Sequence, residues 1–171
     1  MRLDHIAYRV EDRDAAVDFI ANTLNYSVAE EFEIKFDDDS AAQCKALAPP
    51  EKMEGVEVEA GGQRHLPPEI FVSEGTEESI VNKWVTERGG GGIHHIAYQV
   101  SNIRTIFEDW KKLGVEFVSP DIIDCPDDNL KQIFTKPINV LGGIIIELIE
   151  RGDKGFCNKS VKDLMNSTKG L

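Results

Sequence analysis

Three residues of this chain have the side-chain chemistry of a metal site: His5, His95 and Glu147. The histidines stand out because they repeat. Residues 3–10 read Leu-Asp-His-Ile-Ala-Tyr-Arg-Val and residues 93–100 read Ile-His-His-Ile-Ala-Tyr-Gln-Val, so His-Ile-Ala-Tyr-x-Val occurs twice and His5 aligns with His95. Glu147 stands out by its surroundings. It interrupts the run Ile144-Ile145-Ile146-Glu147-Leu148-Ile149, a strand whose two faces both read as buried. A lone buried carboxylate is costly unless it is paired or metal-bound. Two imidazoles and one carboxylate form the facial donor set of non-haem Fe(II) sites, which leaves coordination positions open for substrate and dioxygen. Taken singly, each residue reads equally well as a satisfied core group; duplication favours convergence near a pseudo-symmetry axis. Glu69, ahead of the apolar Ile70-Phe71-Val72, is a fourth candidate donor, and Glu57 and Glu59 compete with it. Two His and two Glu would suit a Lewis-acid isomerase or lyase better. His94 aligns with Asp4, and strand alternation would turn it away from His95.

The elements that must position these residues repeat as well. After Val10, apolar residues at 16, 17, 20, 21 and 24 have helical spacing. After Val100, Ser101-Asn102 offers an N-cap, and Ile103, Ile106, Phe107, Trp110 and Leu113 continue at helical spacing up to Gly114. Strands are expected at 26–34, 41–48, 56–60 and 69–73 in the first half, and at 115–119, 131–136 and 143–150 in the second. Residues 77–88 read as a helix joining the halves, and Gly89–Gly92 as a joint. That joint is no phosphate loop, because no Lys-Ser/Thr follows and a strand comes next. The expected division is 1–88 and 89–171, two β-α-β-β-β modules in one α+β fold. Asp37-Asp38-Asp39 and Asp127-Asp128 read as solvated turns, Glu150 as a solvated strand end, and His65 as a surface-loop residue.

Composition excludes several classes. The 171 residues carry 19 Lys+Arg against 31 Asp+Glu, a net charge of −12, which repels nucleic-acid backbones. The longest apolar run, 140–149, is about half of what a membrane helix needs. Asp4 stands where a signal peptide would be apolar, so a cytoplasmic protein is expected. Cys44, Cys125 and Cys157 form no CxxC pair and no disulfide framework, in keeping with a reducing compartment.

The paired His-Ile-Ala-Tyr strands and the Ile-Glu-Leu strand resemble the vicinal oxygen chelate superfamily, which includes glyoxalase I, methylmalonyl-CoA epimerase and 4-hydroxyphenylpyruvate dioxygenase. The resemblance implies eight strands curled into one open, barrel-like cup around a metal. The second half is most similar to the catalytic domain of the 4-hydroxyphenylpyruvate dioxygenase family. Leu130-Lys131-Gln132-Ile133-Phe134-Thr135-Lys136-Pro137 resembles that family's Leu-Gln-Ile-Phe-Thr-Lys-Pro motif. Ile146-Glu147-Leu148-Ile149-Glu150-Arg151 resembles its metal-Glu strand, and Gly155-Phe156-Cys157 its Gly-Phe-Gly tail. The resemblance implies that His5, His95 and Glu147 hold Fe(II), with Zn, Co, Mn or Ni as alternatives. It implies that Gln132 bonds the substrate, Phe134 stacks on it, and Phe156 lines the pocket under a C-terminal lid helix bearing Val161, Leu164 and Met165. Ser160-Val161 replaces that family's Asn-Phe, its extra N-terminal domain is missing, and the stretch between His95 and Gln132 is short.

The resemblance implies a small-molecule substrate, with molecular oxygen as co-substrate for an Fe(II)-dependent dioxygenase of 2-oxo acids. The alternative is a methylmalonyl-CoA-epimerase-like or glyoxalase-like isomerase or lyase, with Glu69 or Glu147 moving a proton and Lys131, Lys136 and Lys159 near a CoA group. A non-catalytic binder of the same fold is disfavoured by three intact ligand positions. A homodimer is compatible with the fold, and neither nucleic acid nor membrane is an expected partner.

Overall fold

The computed structural model describes residues 1–50, 59–60, 63–64 and 67–170, with backbone alone at 59–60 and 63–64. The chain runs β1 (Arg2–Val10), α1 (Arg13–Leu24), β2 (Ser27–Lys35), β3 (Ala41–Ala48), β4 (Glu59–Ala60), β5 (Gln63–Arg64), β6 (Glu69–Gly75), α2 (Ile80–Glu87) and β7 (Gly91–Gln99). It continues through α3 (Ile103–Lys112), β8 (Ile123–Asp124), β9 (Lys131–Phe134), a 3-10 turn (Asn139–Leu141), β10 (Ile145–Glu150) and α4 (Asn158–Ser167). The helix starts are chemically specified. Asp12, Ser79 and Asn102 each accept a backbone N–H three residues on, capping α1, α2 and α3.

Eight strands form one sheet in the order β2-β3-β6-β1-β7-β10-β9-β8. Its centre is the antiparallel pair of the two His strands, β1 and β7, flanked by β6 parallel to β1 and β10 parallel to β7. The order is therefore the same read outward from either His strand. β7 hugs β1 so closely at Gly91 that a Cβ there would collide with the Arg9 carbonyl oxygen. Alternation sorts the side chains onto two faces. On the convex face, Val17 of α1 packs on Leu47, Ile70 and Val72, while Ile103 and Phe107 of α3 pack on Ile133 and Leu148. On the concave face, Ala7, Ile34, Cys44 and Phe71 pack with Val81 of α2 and with Val161 and Met165 of α4; Leu164 joins Phe134 and Ile145.

The curled eight-strand α+β architecture is as expected; several details differ. Residues 115–119 form no strand, only a single bridge from Phe117 to Thr135. The last strand begins at Ile145 rather than 143, because Gly142 and Gly143 take positive φ (72° and 84°) after the 3-10 turn. Asp37, Asp38 and Asp39 are exposed in a turn, as expected. Asp128 is no free turn acid: its carboxylate accepts the backbone N–H groups of Asn129, Asp153 and Lys154. Glu150 is likewise engaged, by the Ile103 N–H at the start of α3 and by Lys131. Cys125 and Cys157 form a disulfide, a correction to the framework-free reading; it fastens the start of α4 to the stretch between β8 and β9. Cys44 is free and buried, and burial pushes its thiol up to about 12. His65, Glu57 and residues 56–58 of the expected strand 56–60 lie outside the described residues, as does the side chain of Glu59. No helix among the described residues is long and apolar enough to cross a membrane.

Candidate metal centre

The duplicated strands bring His5 and His95 together across the centre of the sheet. Their Nε2 atoms lie 3.3 Å apart. Glu147, from β10 beside β7, closes the triangle: its Oε2 is 3.3 Å from His5 Nε2 and 3.0 Å from His95 Nε2. All three donor atoms lie within 4.8 Å of one another, and all three side chains are almost fully enclosed. Glu69 is not brought in. Register explains why. Glu147 pairs with Ala97, two residues past His95, whereas the residue paired two past His5, opposite Ala7, is Phe71. Glu69 sits level with His5 and is held by Arg151 at 2.7 Å.

Two bulges build the surroundings of the histidines. Between Leu3 and Ile6 the β1–β7 register slips by one residue on β1; between Ala7 and Tyr8 it slips back by one on β7, at His94. Each bulge places the residue before a histidine beside that histidine's ring. Asp4 Oδ1 accepts from His5 Nδ1 at 2.7 Å, and His94 Nδ1 lies 2.8 Å from His95 Nδ1. His94 is therefore not turned away, as strict alternation requires, but buried between Trp84, Phe134 and His95. Arg151 grips the Asp4 carboxylate at 2.6 and 3.1 Å and bridges it to Glu69.

These contacts make the two imidazoles electrostatically unlike. Burial works against a charge on His5, but the Glu147 and Asp4 carboxylates outweigh it and raise its pKa to about 9. Burial wins at His95, which is lowered despite Glu147, and at His94, which burial and the Arg9 charge push well below the usual range. Glu147 is held far below the usual carboxylate range: burial would raise it, but the His5 charge and the bonds from both histidines prevail.

Gln132, Phe134 and Phe156 all reach this centre. Gln132 donates from Nε2 to Glu147 Oε1 at 2.7 Å and accepts from Ser160 Oγ at 3.0 Å, so its amide links the carboxylate to α4. Phe134 stands 4.6 Å from the His95 ring, and Phe156 stands 5.4 Å from the His5 ring and 5.3 Å from Phe71. Ser160, Asp4, His94 and Arg151 belong to the site but carry no spacing signal of their own. The one clue to Asp4 and His94 was their alignment with each other.

The sequence model of the Glyoxalase/Bleomycin resistance protein/Dioxygenase superfamily matches residues 4–134. The chain belongs to this superfamily. No curated protein matches the sequence. Among solved structures, methylmalonyl-CoA epimerase from Mycobacterium tuberculosis is similar at 25% identity, with 87% of each chain covered and a TM-score of 0.63. A mutant of 4-hydroxymandelate synthase from Streptomyces coelicolor superposes with a TM-score of 0.78 at 18% identity, over 98% of this chain and 53% of the synthase, about half its length. A hypothetical protein from Bacillus halodurans has a TM-score of 0.64 at 22% identity, over 91% of this chain and 97% of its own. The last two show the fold alone. The glyoxalase/dioxygenase fold thus has its His5–His95–Glu147 cluster, a set of residues that could hold a divalent metal, at the centre of the cup.

Proposed function

We propose that this protein is an iron(II)-dependent dioxygenase acting on a 2-oxo acid or related small molecule, with His5, His95 and Glu147 as its metal ligands. The observation that carries the reading is the donor count. Two imidazoles and one carboxylate converge, while Glu69 is engaged by Arg151 and Phe71 fills the place equivalent to Glu147. The donor set fits a first-row divalent metal: the nitrogens and oxygen are enclosed, mutually close, and partnered behind by Asp4, His94 and Gln132. Zn, Co, Mn and Ni would fit the same donors. In this reading the chain comprises the modules 1–88 and 89–171, each supplying one histidine.

Iron(II) held by His5, His95 and Glu147 would supply the redox chemistry by which dioxygen oxidises a 2-oxo acid, the oxo acid contributing two of the electrons. The rest is the work of the chain. Asp4 and His94 fix the ring orientation of His5 and His95 through their Nδ1 atoms, leaving both Nε2 atoms to face the centre. Gln132 orients Glu147 and takes its own position from Ser160. Phe134 and Phe156 flank the histidines and offer flat apolar faces to a substrate, and α4 roofs the cup and excludes water.

A methylmalonyl-CoA-epimerase-like or glyoxalase-like isomerase is the second reading, favoured by the near full-length match to the Mycobacterium tuberculosis epimerase. There Glu147 would be the carboxylate placed to move a proton. One experiment separates the two. Protein loaded with iron(II) is mixed with a panel of 2-oxo acids in an oxygen electrode; cobalt-loaded protein is mixed with methylmalonyl-CoA in D2O. Oxygen consumption matched to loss of one 2-oxo acid, and abolished by His95→Ala, supports the dioxygenase. Deuterium incorporation without oxygen consumption replaces it with the isomerase.

A further inference from the structure

β1 presents His5, Ala7 and Arg9 to the same concave face, and Arg9 is only 3% exposed. A buried guanidinium ordinarily sits against a carboxylate, because an unpaired charge out of water is strongly disfavoured. Arg9 has no such partner among the described residues. Its one acceptor there is Thr168 Oγ1, at 3.2 Å, at the end of α4. Thr168 itself donates to the Met165 carbonyl, so it is a neutral contact that fixes one of five N–H donors. The charge nearest in effect is another cation. Arg88 lies 4.3 Å over the Trp84 ring and Arg9 5.7 Å from it, two guanidiniums on one indole. Burial and the Arg88 charge pull the Arg9 pKa down to about 9. The Trp84 ring that Arg9 shares also packs on His94 at 5.3 Å, and His94 packs on His95 at 5.1 Å, so Arg9 belongs to the cup that holds the metal centre. All this occurs in a chain with 31 acidic side chains against 19 basic ones.

We propose that Arg9, with the exposed Arg88 at its rim, receives an anionic group, a carboxylate or a phosphate, of the molecule that fills the cup. The planar fork of a guanidinium holds two oxygens of either group, and enclosure strengthens both bonds. Arg9 stands four residues along β1 from His5, about 13 Å of backbone at roughly 3.3 Å per residue, and its guanidinium reaches back to the Trp84 ring that packs on His94, so the gap between the two ends is shorter than the backbone span. The occupant is therefore two-ended, with a chelating group toward His5, His95 and Glu147 and a second anion toward Arg9. This extends the proposed function, but the Arg9 end can be tested without metal.

The test uses the full chain with Trp110→Phe, which leaves Trp84 as the sole tryptophan. Metal-free protein is titrated with malonate and with inorganic phosphate, with chloride at matched ionic strength as control, and Trp84 emission is followed. The expected result is a saturable change with one or both anions, weakened roughly tenfold or more by Arg9→Met; the relative affinities show whether carboxylate or phosphate is preferred. Arg9→Met is also expected to raise the Tm of the anion-free protein, because it replaces an unpaired buried charge with an apolar chain of similar length. Cobalt-loaded protein is then compared for 2-oxobutyrate and 2-oxoglutarate, which differ by the distal carboxylate. The dianion is expected to bind at least tenfold more tightly, and Arg9→Met to bring the two within about twofold. Loss of the cobalt result with the metal-free titration intact would fault the metal reading alone. No saturable response in the metal-free protein, or a response unchanged by Arg9→Met, overturns the proposal. So does an Arg9→Met variant that unfolds or loses Tm, since that would make Arg9 a structural strut.

Discussion

Metal uptake by this protein should expel a proton from His5, and its affinity should rise with pH well above the range usual for histidine ligands. His5 is protonated in the metal-free protein because Glu147 and Asp4 face it in an enclosed site, which raises its pKa to about 9 against an ordinary 6.5. A metal needs the unprotonated Nε2, so each pH unit below 9 weakens binding about tenfold. Between pH 9 and 6.5 the cumulative loss is roughly 300-fold, all of it from this one group. His95 adds nothing over that interval, because burial already keeps it neutral. The assay is calorimetric titration of zinc or cobalt at pH 7.5 in buffers of different ionisation enthalpy. About one proton released per metal is expected. Asp4→Asn removes one of the two anions facing His5, so it should reduce the proton release and flatten the pH dependence. Uptake at pH 7.5 without proton release, or an affinity constant from pH 6.5 to 9, would refute the reasoning.

The same charges govern the metal-free fold. His5 has its pKa raised on folding, so its stabilisation is complete below 6.5 and is lost as pH rises toward 9, by about 3 kcal/mol at 1.36 kcal/mol per unit. Glu147 is lowered, so its contribution holds above its ordinary 4.5 and disappears as pH falls below that; urea midpoints of the metal-free protein should peak between the two. Gln132→Leu removes the donor that orients Glu147 and should weaken zinc binding roughly 10- to 100-fold while leaving circular dichroism unchanged; an unaltered affinity in a zinc competition assay would show that Glu147 needs no such support. Cys157→Ser opens a loop of 32 residues and should lower unfolding free energy by about 3–4 kcal/mol, with one thiol titrating in the unreduced denatured wild type and three after reduction. Deleting residues 152–171 should cost about 5 kcal/mol or more, because Val161, Leu164 and Met165 are each worth roughly 1.5–3 kcal/mol of burial; retained stability with lost substrate binding would instead make α4 a detachable lid.

The repeat made the central architecture legible. Matching His-Ile-Ala-Tyr strands require equivalent places, and β1 and β7 are neighbours at the middle of the sheet. Glu147 was legible because an acid in an isoleucine run needs a reason. What escaped the sequence depended on register. Strict alternation turns His94 outward, and only a one-residue slip opposite Ala7 and Tyr8 brings it back against His95. Glu69 looked like a ligand from its apolar neighbours, yet parallel pairing sets it level with His5 and leaves Phe71 in the equivalent place. The disulfide was hidden because Cys125 and Cys157 are 32 residues apart and meet only once α4 folds back over the sheet. The tail was legible as an amphipathic helix, but not as a wall of the core, since spacing identifies an apolar face without saying what it covers.

Duplication and divergence together explain why this site is asymmetric where it matters. The two bulges are reciprocal, one on each His strand, and each delivers the preceding residue to an Nδ1 atom. At one copy that residue is Asp4, anchored by Arg151; at the other it is the neutral His94, enclosed by Trp84 and Phe134. A carboxylate partner makes an imidazole a stronger donor and keeps its charge when the site is empty, whereas an imidazole partner does neither. The same divergence puts Glu147 opposite Phe71 across the pseudo-axis, so the carboxylate that faces both Nε2 atoms comes from one side only. Exchanging the bulge residues, Asp4→His with His94→Asp, is the direct test of this account: the proton released on metal uptake should now come from His95, its Nε2 signal moving with pH in place of that of His5. Proton release that stays with His5 would mean that Glu147 alone, not the bulge partner, decides which histidine is charged.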